Sequence, residues 1–285
     1  MNWKTRDIAP GLYLIATPLG NARDITLRAL DLLASVDVLA AEDTRSLRRL
    51  MEIHGVALGD RPLVAYHDHN GDRARPRLMA DLKAGKSVLY ASEAGTPLVS
   101  DPGFDLVRAA IEAGLPCTTA PGPSAAIAAL TVSGLPSDRF LFAGFLPNSS
   151  GKRKTALKGL EAVPATLLFY ESPKRLGAML RDAAEVLGAD RTAVVCRELT
   201  KKFETRVGGT LASLADQFSN APPKGEIVVL VDRGQGSQAT EADLDAALLE
   251  ALSRMSVKDA AREVATRFGL PRRDLYQRAM ALGEN

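Results

Sequence analysis

The feature that most constrains the fold is an alternation of short apolar runs with amphipathic stretches along the first half of the chain. A short apolar run is typical of a strand buried on both faces, and the amphipathic stretch that follows is typical of a helix covering the sheet. Such alternation predicts right-handed crossovers and a parallel sheet. We therefore expect an α/β domain over residues 11–134. Its five strands are predicted at Leu12–Ala16, Val38–Ala41, Leu63–Tyr66, Val88–Ser92 and Cys117–Ala120, with helices at 24–35, 44–53, 71–84, 103–113 and 123–133.

The apolar runs become less regularly spaced after the turn-rich segment Ser133–Asp138. This irregularity favours a smaller, mixed sheet over a second parallel one, in a second α/β domain over residues 138–233. Its strands are predicted at Phe140–Phe145, Thr166–Tyr170, Thr192–Cys196, Ile227–Val231 and, more weakly, Phe203–Val207, with helices at 151–162, 175–187 and 211–218.

The C-terminal segment, residues 240–285, follows a linker-like stretch, Gly234–Gln238, and is predicted to be a helical tail. One helix fits residues 241–254, a second begins at Ser256 and ends near Gly269, and Pro271 opens a third. Two short helices around a glycine-containing turn indicate a helix-turn-helix-like arrangement. The sequence allows two roles for this tail, which are contact with RNA and packing against the rest of the chain or a partner.

Composition excludes several classes of protein. Apolar residues make up 46% and charged residues 25% of the chain, which is ordinary for a soluble globular protein and excludes disorder and a disulfide scaffold. The first seven residues lack the apolar core of a secretory signal, and no apolar run approaches the roughly 20 residues that span a bilayer. We therefore expect no membrane association and a cytoplasmic location. The net charge of +2 is too small to indicate nucleic-acid binding by itself.

The two cysteines and three histidines indicate no metal site. Cys117 and Cys196 fall inside apolar runs and are expected to be small buried hydrophobes. His54, His67 and His69 lack metal-ligand spacing, and no cysteine is near them.

Small and polar residues follow each of the five predicted strands of the first domain. Because the carboxyl ends of parallel strands meet at one edge of a sheet, these segments should converge on one rim, where ligands bind in open α/β sheets. Acidic residues outnumber basic ones there, and no lysine follows a glycine-rich turn, so the rim does not resemble a phosphate site. It suits a ligand with hydroxyl groups or a positive charge. The segments are Thr17–Asn21, Glu42–Arg45, His67–Asn70, Glu93–Gly103 and Pro121–Ala125.

The same segments carry a resemblance to a known family. Together with two later segments, they resemble in order the signatures of the tetrapyrrole-methylase-type (class III) methyltransferases, in the branch that methylates ribosomal RNA. The resemblance covers about residues 11–280. Glu93 departs from it, since aspartate is expected there. The motifs are Leu14–Asn21 with Asp24–Leu30, Ala41–Arg45, Tyr66–Asn70, Ala94–Gly103, Pro121–Ala125, Phe169–Arg175 and Arg197–Glu204.

This resemblance implies a tetrapyrrole methylase-like fold and a homodimer that binds S-adenosyl-L-methionine between its two domains. It also implies 2′-O-methylation of a cytidine ribose in the decoding region of 16S rRNA, within the assembled small ribosomal subunit. Cofactor contacts are expected from Pro18, Leu19, Gly20, Glu93, Ala94, Gly95, Thr96, Pro97, Ser124 and Ala125 in the first domain and from Tyr170, Arg197, Glu198, Leu199, Glu226 and Ile227 in the second.

The general base and the RNA contacts remain open in the sequence. A ribose hydroxyl needs a base or a neighbouring cation to ease loss of its proton. The candidates are Glu42, Asp43, Arg45, His67, Glu171 and Lys201, although Glu42 or Asp43 could instead cap the next helix and Arg45 could pair with either. RNA contacts are expected from the basic residues Arg48, Arg49, Lys152, Arg153, Lys154, Lys202, Arg272 and Arg273.

The group Lys152–Lys154 is the most suggestive of these basic clusters, because it follows a flexible-looking loop, Pro147–Gly151. Two other functions stay open. A tetrapyrrole methylase would need an apolar trough and has less need of basic clusters or a helical tail. A non-enzymatic ribosome-assembly protein would bind RNA and merely retain the cleft.

Overall fold

A computed structural model describes residues 3–234, 241–268 and 270–283. Its first part contains a fully parallel five-stranded sheet in the order β3-β2-β4-β1-β5. The strands are β1 (Gly11–Ile15), β2 (Val38–Ala41), β3 (Leu63–Ala65), β4 (Ser87–Ala91) and β5 (Cys117–Ala120). The predicted parallel sheet is therefore confirmed, with its strands at the predicted places.

Helices cover both faces of this sheet, as the crossovers require. They are α1 (Leu27–Ser35), α2 (Thr44–Ile53), α3 (Gly71–Lys83) and α4 (Phe104–Glu112). The fifth helix, α5 (Ala125–Ser133), follows β5 and packs on the second sheet. The apolar faces of α1 and α2 pack on one side, and those of α3 and α4 pack on the other. The prediction placed the start of α1 too early. Residues 22–24 form a 3-10 turn, and Thr26 caps α1 by accepting from the backbone N–H of Ala29.

The second sheet is mixed, as predicted, with the order β6-β7-β10-β8-β9 and only β6 and β7 parallel. It is not smaller than the first, because it also has five strands. They are β6 (Phe140–Phe145), β7 (Thr166–Glu171), β8 (Thr192–Arg197), β9 (Thr205–Thr210) and β10 (Ile227–Val231).

The two sheets are joined through α5. Three helices cover one face of the second sheet: α6 (Ser150–Lys158), α7 (Leu176–Leu187) and α8 (Leu211–Asn220). The opposite face packs on α5, whose buried Ala126, Ala129 and Leu130 contact Leu168 and Val194 of the sheet. This packing holds the second sheet beside the carboxyl ends of the first.

The tail is a three-helix unit composed of α9 (Glu241–Leu252), α10 (Val257–Phe268) and α11 (Arg272–Gly283). Its buried side chains pack on one another. Ser256 begins α10, because its hydroxyl accepts from the backbone N–H of Asp259 at 3.3 Å. The Arg278 guanidinium ties α11 to Asp245 of α9. The predicted linker beyond Gly234 and the predicted stop at Gly269 lie outside the described residues.

No helix within the described ranges is long and apolar enough to cross a bilayer. We keep 11–134, 138–233 and 240–285 as proposed domain bounds.

Candidate active site

A cavity of about 510 Å³ lies where the carboxyl ends of the first sheet face the second sheet. Loops after β1, β2, β4 and β5 form one wall, and residues of β6, β7, β8 and β10 form the other. Its lining residues are Pro18, Leu19, Glu42, Ser46, Glu93, Ala94, Gly95, Thr96, Val99, Ser100, Asp101, Ser124, Ala125, Phe145, Tyr170, Glu171, Cys196, Leu199, Glu226, Ile227 and Val228. A volume of this size suits a small organic ligand.

Hydrogen bonds join the loops after β1, β4 and β5 of the first domain into one wall of the cavity. Thr17 and Gly95 form a two-way backbone bridge, with N–O distances of 2.9 and 3.0 Å. The Thr17 hydroxyl also donates toward the Ser92 carbonyl at 3.2 Å. The Thr96 hydroxyl donates to the Pro123 carbonyl at 2.8 Å and so joins the β4 and β5 loops. These bonds hold the loops in place before any ligand arrives.

Gly95 is the position in this wall that requires glycine. Its φ of +82° is in the left-handed region, and a Cβ there would stand 3.1 Å from Leu19 Cδ2. The absent side chain leaves the Gly95 backbone open to a ligand in the cavity.

The charged lining of the cavity is wholly acidic. Five carboxylates line it, and among the described lining residues there is no lysine, arginine or histidine. A surface of this kind attracts a cation and repels phosphate. The acidic lining residues are Glu42, Glu93, Asp101, Glu171 and Glu226.

Asp101 is a site residue that the sequence reasoning did not select. It lies half-buried at the end of the loop after β4, which Tyr90 holds by donating from its hydroxyl to the Pro102 carbonyl at 3.1 Å. Gly103, at φ +118°, packs directly on the Tyr90 ring. Burial, and then the negative charges of Glu42 and Glu93, raise the pKa of Asp101 to about 7.

Glu171 is the most buried of the five acids, with a side chain only 1% exposed. Its Oε1 accepts from the Ser172 backbone N–H at 2.7 Å and lies 3.1 Å from the Arg175 guanidinium. Its Oε2 is buried with no hydrogen-bond partner in the described structure. Burial raises the pKa of Glu171 despite these contacts.

Of the other candidate bases, Glu42 lines the cavity, and its Oε2 accepts from the Glu93 backbone N–H at 3.0 Å. Asp43 instead caps α2 through the backbone N–H groups of Arg45 and Ser46. Arg45 is 90% exposed at its side chain and pairs with Asp43 at 2.8 Å. These bonds lower the pKa of Asp43 to about 2, so it is a poor base. The alternative noted from the sequence, a cap paired with Arg45, is the one observed.

His67 and Lys201 lie outside the lining of this cavity. His67 has a buried Nδ1 without a partner and lies beside His69, with ring centroids 6.1 Å apart. Lys201 pairs with Glu198 at 3.0 Å and with Glu226 at 3.1 Å. Its aliphatic chain passes over Gly20, where it joins the second domain to the β1 loop.

Twelve of the sixteen predicted cofactor residues line the cavity, and four do not. Gly20 lines a neighbouring cavity, and Pro97 is buried. The Arg197 guanidinium donates to the carbonyls of Phe203 and Lys224. Glu198 accepts from Lys201 and from the Glu226 backbone N–H. Arg197 and Glu198 therefore shape the β8 loop rather than face the cavity.

Sequence reasoning missed seven lining residues, which are Ser46, Val99, Ser100, Asp101, Phe145, Cys196 and Val228. Val99–Asp101 lie inside the family motif Ala94–Gly103, and the signal for Asp101 is an acid within a loop bounded by proline and glycine. Phe145 could have been found as an aromatic residue at the end of a strand. It contacts the Tyr170 ring at a centroid distance of 5.7 Å and is 56% exposed.

A second cavity, of about 630 Å³, adjoins the first and shares Pro18, Ser46 and Glu93 with it. Unlike the first, it carries cations, because Arg45 and Arg49 line it. Arg49 is 73% exposed at its side chain. The acidic cavity is thus bordered by exposed guanidinium groups.

The eight predicted RNA contacts differ in their exposure to solvent. The prediction that Arg153 contacts RNA is wrong. Its side chain is buried, with the residue 4% exposed, and its guanidinium lies 2.7 Å from Asp182, so Arg153 holds α6 on α7. Pro147–Gly151 is not wholly a loop, because α6 begins at Ser150. Lys154 is half-buried and pairs with Glu185. The remaining six are exposed: Arg48, Arg49, Lys152, Lys202, Arg272 and Arg273.

Comparison with known proteins agrees with this geometry. The family model for Tetrapyrrole (Corrin/Porphyrin) Methylases matches residues 11–215. The chain belongs to this family. A second model, the RsmI C-terminal HTH domain, matches residues 238–283, in agreement with the predicted tail. The family is S-adenosylmethionine-dependent, which confirms the predicted cofactor.

The curated relatives have nearly the same length as this chain. A protein from Mesorhizobium japonicum named "Ribosomal RNA small subunit methyltransferase I" is 51% identical, over 97% of this chain and 94% of its own. A protein of the same name from Escherichia coli O157:H7 is 44% identical, over 94% of both chains.

Solved structures share the fold at low identity. Diphthine synthase has a TM-score of 0.59 at 18% identity and covers 78% of this chain and 90% of its own. Uroporphyrin-III C-methyl transferase from Thermus thermophilus, complexed with S-adenyl homocysteine, has a TM-score of 0.54 at 21% identity and covers 77% and 96%.

The described residues fit the family's cofactor. Its sulfonium is a cation, and the described lining of the cavity contains five carboxylates and no basic side chain. The unpartnered Glu171 Oε2 offers a buried acceptor, and Gly95 leaves room for close backbone approach. No cluster of three or more metal-ligating side chains occurs among the residues described.

Proposed function

We propose that this chain transfers a methyl group from S-adenosyl-L-methionine to the 2′ hydroxyl of a cytidine ribose in the decoding region of 16S rRNA. The observation that carries the proposal is the pair of adjoining cavities, one acidic and the other bordered by arginines. The first suits a cationic methyl donor, and the second suits the phosphates beside an acceptor ribose. The names of the relatives support small-subunit rRNA as the substrate.

We assign the twelve predicted residues that line the acidic cavity to cofactor binding. S-adenosylmethionine supplies a methyl group that the positive charge of its sulfur has already activated. The chain therefore has to align and desolvate the reactants. The backbone of Ala94 and Gly95 can approach the ligand closely, and the carboxylates can accept from its hydroxyl and amino groups. The rings of Phe145 and Tyr170 shield the opposite side from water.

RNA is held, on this proposal, by the six exposed basic residues, with half-buried Lys154 in support. The net charge of +2 predicts modest affinity for free RNA. The folded small subunit must then supply most of the specificity. From the proposed rRNA substrate we also infer a cytoplasmic location.

We also propose a homodimer. Its support is a pair of exposed apolar side chains seven residues apart on α4, Phe104 and Ile111, each 62% exposed. Light scattering at micromolar concentration measures the mass, and a monomer there contradicts the homodimer alone.

The function is tested with small subunits purified from cells that lack this activity. The protein is incubated with labelled S-adenosylmethionine, and the methylated nucleotide is located by mass spectrometry. We expect one 2′-O-methylcytidine in the decoding region. Free 16S rRNA should be a much poorer substrate, and a tetrapyrrole should accept no label.

Three results contradict the proposal in different ways. Label on a base or on another nucleotide overturns the 2′-O-cytidine assignment. Label on a tetrapyrrole alone indicates a small-molecule methylase. Calorimetry without S-adenosylmethionine binding indicates a non-enzymatic RNA-binding protein.

A further inference from the structure

Phe203 lies on the turn between β8 and β9 and is 64% exposed, more than any other large apolar residue in the described ranges. A single exposed apolar residue is ordinary on a protein surface. Phe203 differs from an ordinary one in three ways. Its backbone is fixed, an exposed lysine lies beside its ring, and its loop borders both cavities.

The backbone at Phe203 is held from two sides. The Arg197 guanidinium donates to the Phe203 carbonyl at 2.9 Å and to the Lys224 carbonyl at 3.0 Å. The Thr200 backbone N–H donates to the Glu204 carboxylate at 2.6 Å and closes the turn. The ring is therefore presented on a fixed turn, so that little conformational entropy is lost when a flat ligand covers it.

Lys202 places a positive charge against this ring. Its ammonium nitrogen lies 5.6 Å from the centroid of the Phe203 ring, and its side chain is exposed. Within the described residues Lys202 forms no hydrogen bond and no ion pair, so its charge is available to a ligand. An aromatic face beside such a cation suits a nucleotide, because the base stacks on the ring and the phosphate pairs with the cation.

A second exposed phenylalanine, Phe104 on α4, shows why the lysine matters. The Arg108 guanidinium carbon lies 5.4 Å from the centroid of the Phe104 ring, so a cation accompanies this ring as well. Arg108, however, lies 3.1 Å from Asp105 and 3.8 Å from Glu112. These carboxylates compensate its charge, so the surface around Phe104 does not attract phosphate as the surface around Phe203 does.

The loop that carries Phe203 borders both cavities. Leu199, near its start, lines the acidic cavity. Lys201 pairs with Glu226 of that cavity at 3.1 Å, and its aliphatic chain lies against Gly20, which lines the arginine-bearing cavity. An RNA strand that brings a ribose to the junction of the two cavities therefore passes close to this loop.

We propose that Phe203 and Lys202 form a stacking platform for an unpaired nucleotide of the RNA, next to the acceptor nucleotide in the strand. Its base stacks on the Phe203 ring, and a flanking phosphate pairs with the Lys202 ammonium. This inference rests on the proposed RNA substrate. Bases within a duplex already stack on their neighbours, so the platform selects a segment whose bases are splayed apart.

Steady-state kinetics on small subunits tests the stacking. Phe203→Leu keeps an apolar side chain but removes the aromatic face, and it should lower kcat/KM by about 5–150-fold. Phe203→Tyr keeps that face and should stay within a few-fold of the wild type. Phe140→Leu is the control, because Phe140 is 43% exposed and lies at the opposite end of β6 from the cavity residue Phe145. The affinity for S-adenosylmethionine should be unchanged in all three variants.

The salt dependence of binding to small subunits tests the phosphate contact. Lys202→Ala should reduce the slope of log affinity against log salt concentration by about 0.7–0.9, because one phosphate contact is lost. Lys158→Ala, which removes an exposed lysine of α6 that pairs with Glu161, should leave the slope unchanged. An unchanged slope in Lys202→Ala would contradict the phosphate contact.

Photocrosslinking identifies the partner of the ring without any turnover. Small subunits assembled with 16S rRNA that contains 5-iodocytidine are irradiated with the protein bound, and crosslinked peptides are identified by mass spectrometry. We expect a nucleotide on the peptide that contains Phe203. A peptide joined to rRNA only at other positions would contradict the platform and would leave a ribosomal protein or a second copy of this chain as the partner of Phe203.

The kinetic outcomes separate stacking from other roles. A wild-type value of kcat/KM in Phe203→Leu, or an equal loss in Phe203→Leu and Phe203→Tyr, would overturn the platform. A halved mass of Phe203→Leu by light scattering would instead place the ring between two copies of the chain. The proposed function fails separately, because it is contradicted by a wild-type protein that is inactive on small subunits. An active wild type with an equally active Phe203→Leu contradicts the platform alone.

Discussion

The loop after β4, residues 92–103, and the loop after β8, residues 198–204, border the same site but use their charged residues in opposite ways. Each contains two non-glycine residues at left-handed φ, Leu98 and Ser100 in the first and Glu198 and Thr200 in the second. In the β4 loop, the carboxylates of Glu93 and Asp101 have no bonded partner within the described residues.

In the β8 loop the acids are engaged. Glu198 accepts from Lys201 and from the Glu226 backbone N–H, and Glu204 accepts from the Thr200 backbone N–H at 2.6 Å. The difference teaches that strained backbone alone does not identify reactive residues. In the β4 loop the strain presents free acids to the cavity, whereas in the β8 loop the charges maintain the shape of the second-domain wall.

The largest expected effect comes from α6, where the paired Arg153 and the exposed Lys152 are neighbours in the chain. Arg153→Ala should lower the free energy of unfolding by about 3–5 kcal/mol, because it leaves Asp182 buried without its main partner. The adjacent Lys152→Ala should leave stability unchanged and raise KM for small subunits a few-fold. Chemical denaturation measures the free energy of unfolding, and steady-state kinetics measures KM. If Arg153→Ala were as stable as the wild type but had a raised KM for small subunits, Arg153 would contact RNA and its structural role would be contradicted.

Gly95→Val tests whether the β4 loop must approach the cofactor closely. A side chain at φ +82°, with its Cβ about 3.1 Å from Leu19, should reduce S-adenosylmethionine affinity by more than about 100-fold. The protein should remain folded, as circular dichroism would show. Gly85→Val is the matched control: its φ is also positive, but it has open space around it. If Gly95→Val bound S-adenosylmethionine as tightly as the wild type, the proposed contact between the cofactor and this loop would be contradicted.

The pH dependence of stability should have opposite signs for the two loops. Asp101 has a raised pKa, so the folded state binds its proton more tightly, and stability falls as pH rises from about 4 to about 7. Glu198 has a pKa lowered by bonds from Glu226 and Lys201, so its contribution is present at neutral pH and is lost on acidification.

Thermal denaturation between pH 4 and pH 8 separates these two contributions. Asp101→Asn should be more stable than the wild type at pH 8, by about 1–2 kcal/mol after allowance for its partial exposure. Glu198→Gln should be less stable at pH 8 by a similar amount. If both variants changed the stability at pH 8 in the same direction, the two loops would not differ in the pH dependence of stability.

The smallest effect concerns the strain itself. Thr200→Gly should raise the free energy of unfolding by about 0.5–1 kcal/mol, because it relieves a β-branched residue at φ +65° and removes a buried hydroxyl without a partner. Ser100→Gly should give less, since serine is exposed and not β-branched. Equilibrium denaturation compares the pair, and equal changes would argue against the extra cost at Thr200.

The strands and the parallel topology of the first domain could be predicted from sequence, because each depends on a local pattern. Apolar runs located β1 to β5, and the residues after them converged on one rim, since parallel strands end at the same edge. The individual cofactor residues were expected from the family resemblance rather than from these patterns, and twelve of the sixteen line the cavity.

The amino-acid sequence by itself determined where the chain forms strands and helices and which loops meet. Only the tertiary structure decided which charged residues are free. Arg153 pairs with Asp182 across 29 positions, and Asp101 lies in the field of Glu42 from another strand. The physical reason is that periodicity reflects neighbours within a turn or a pleat, whereas burial and pairing depend on segments distant in the chain that packing brings together.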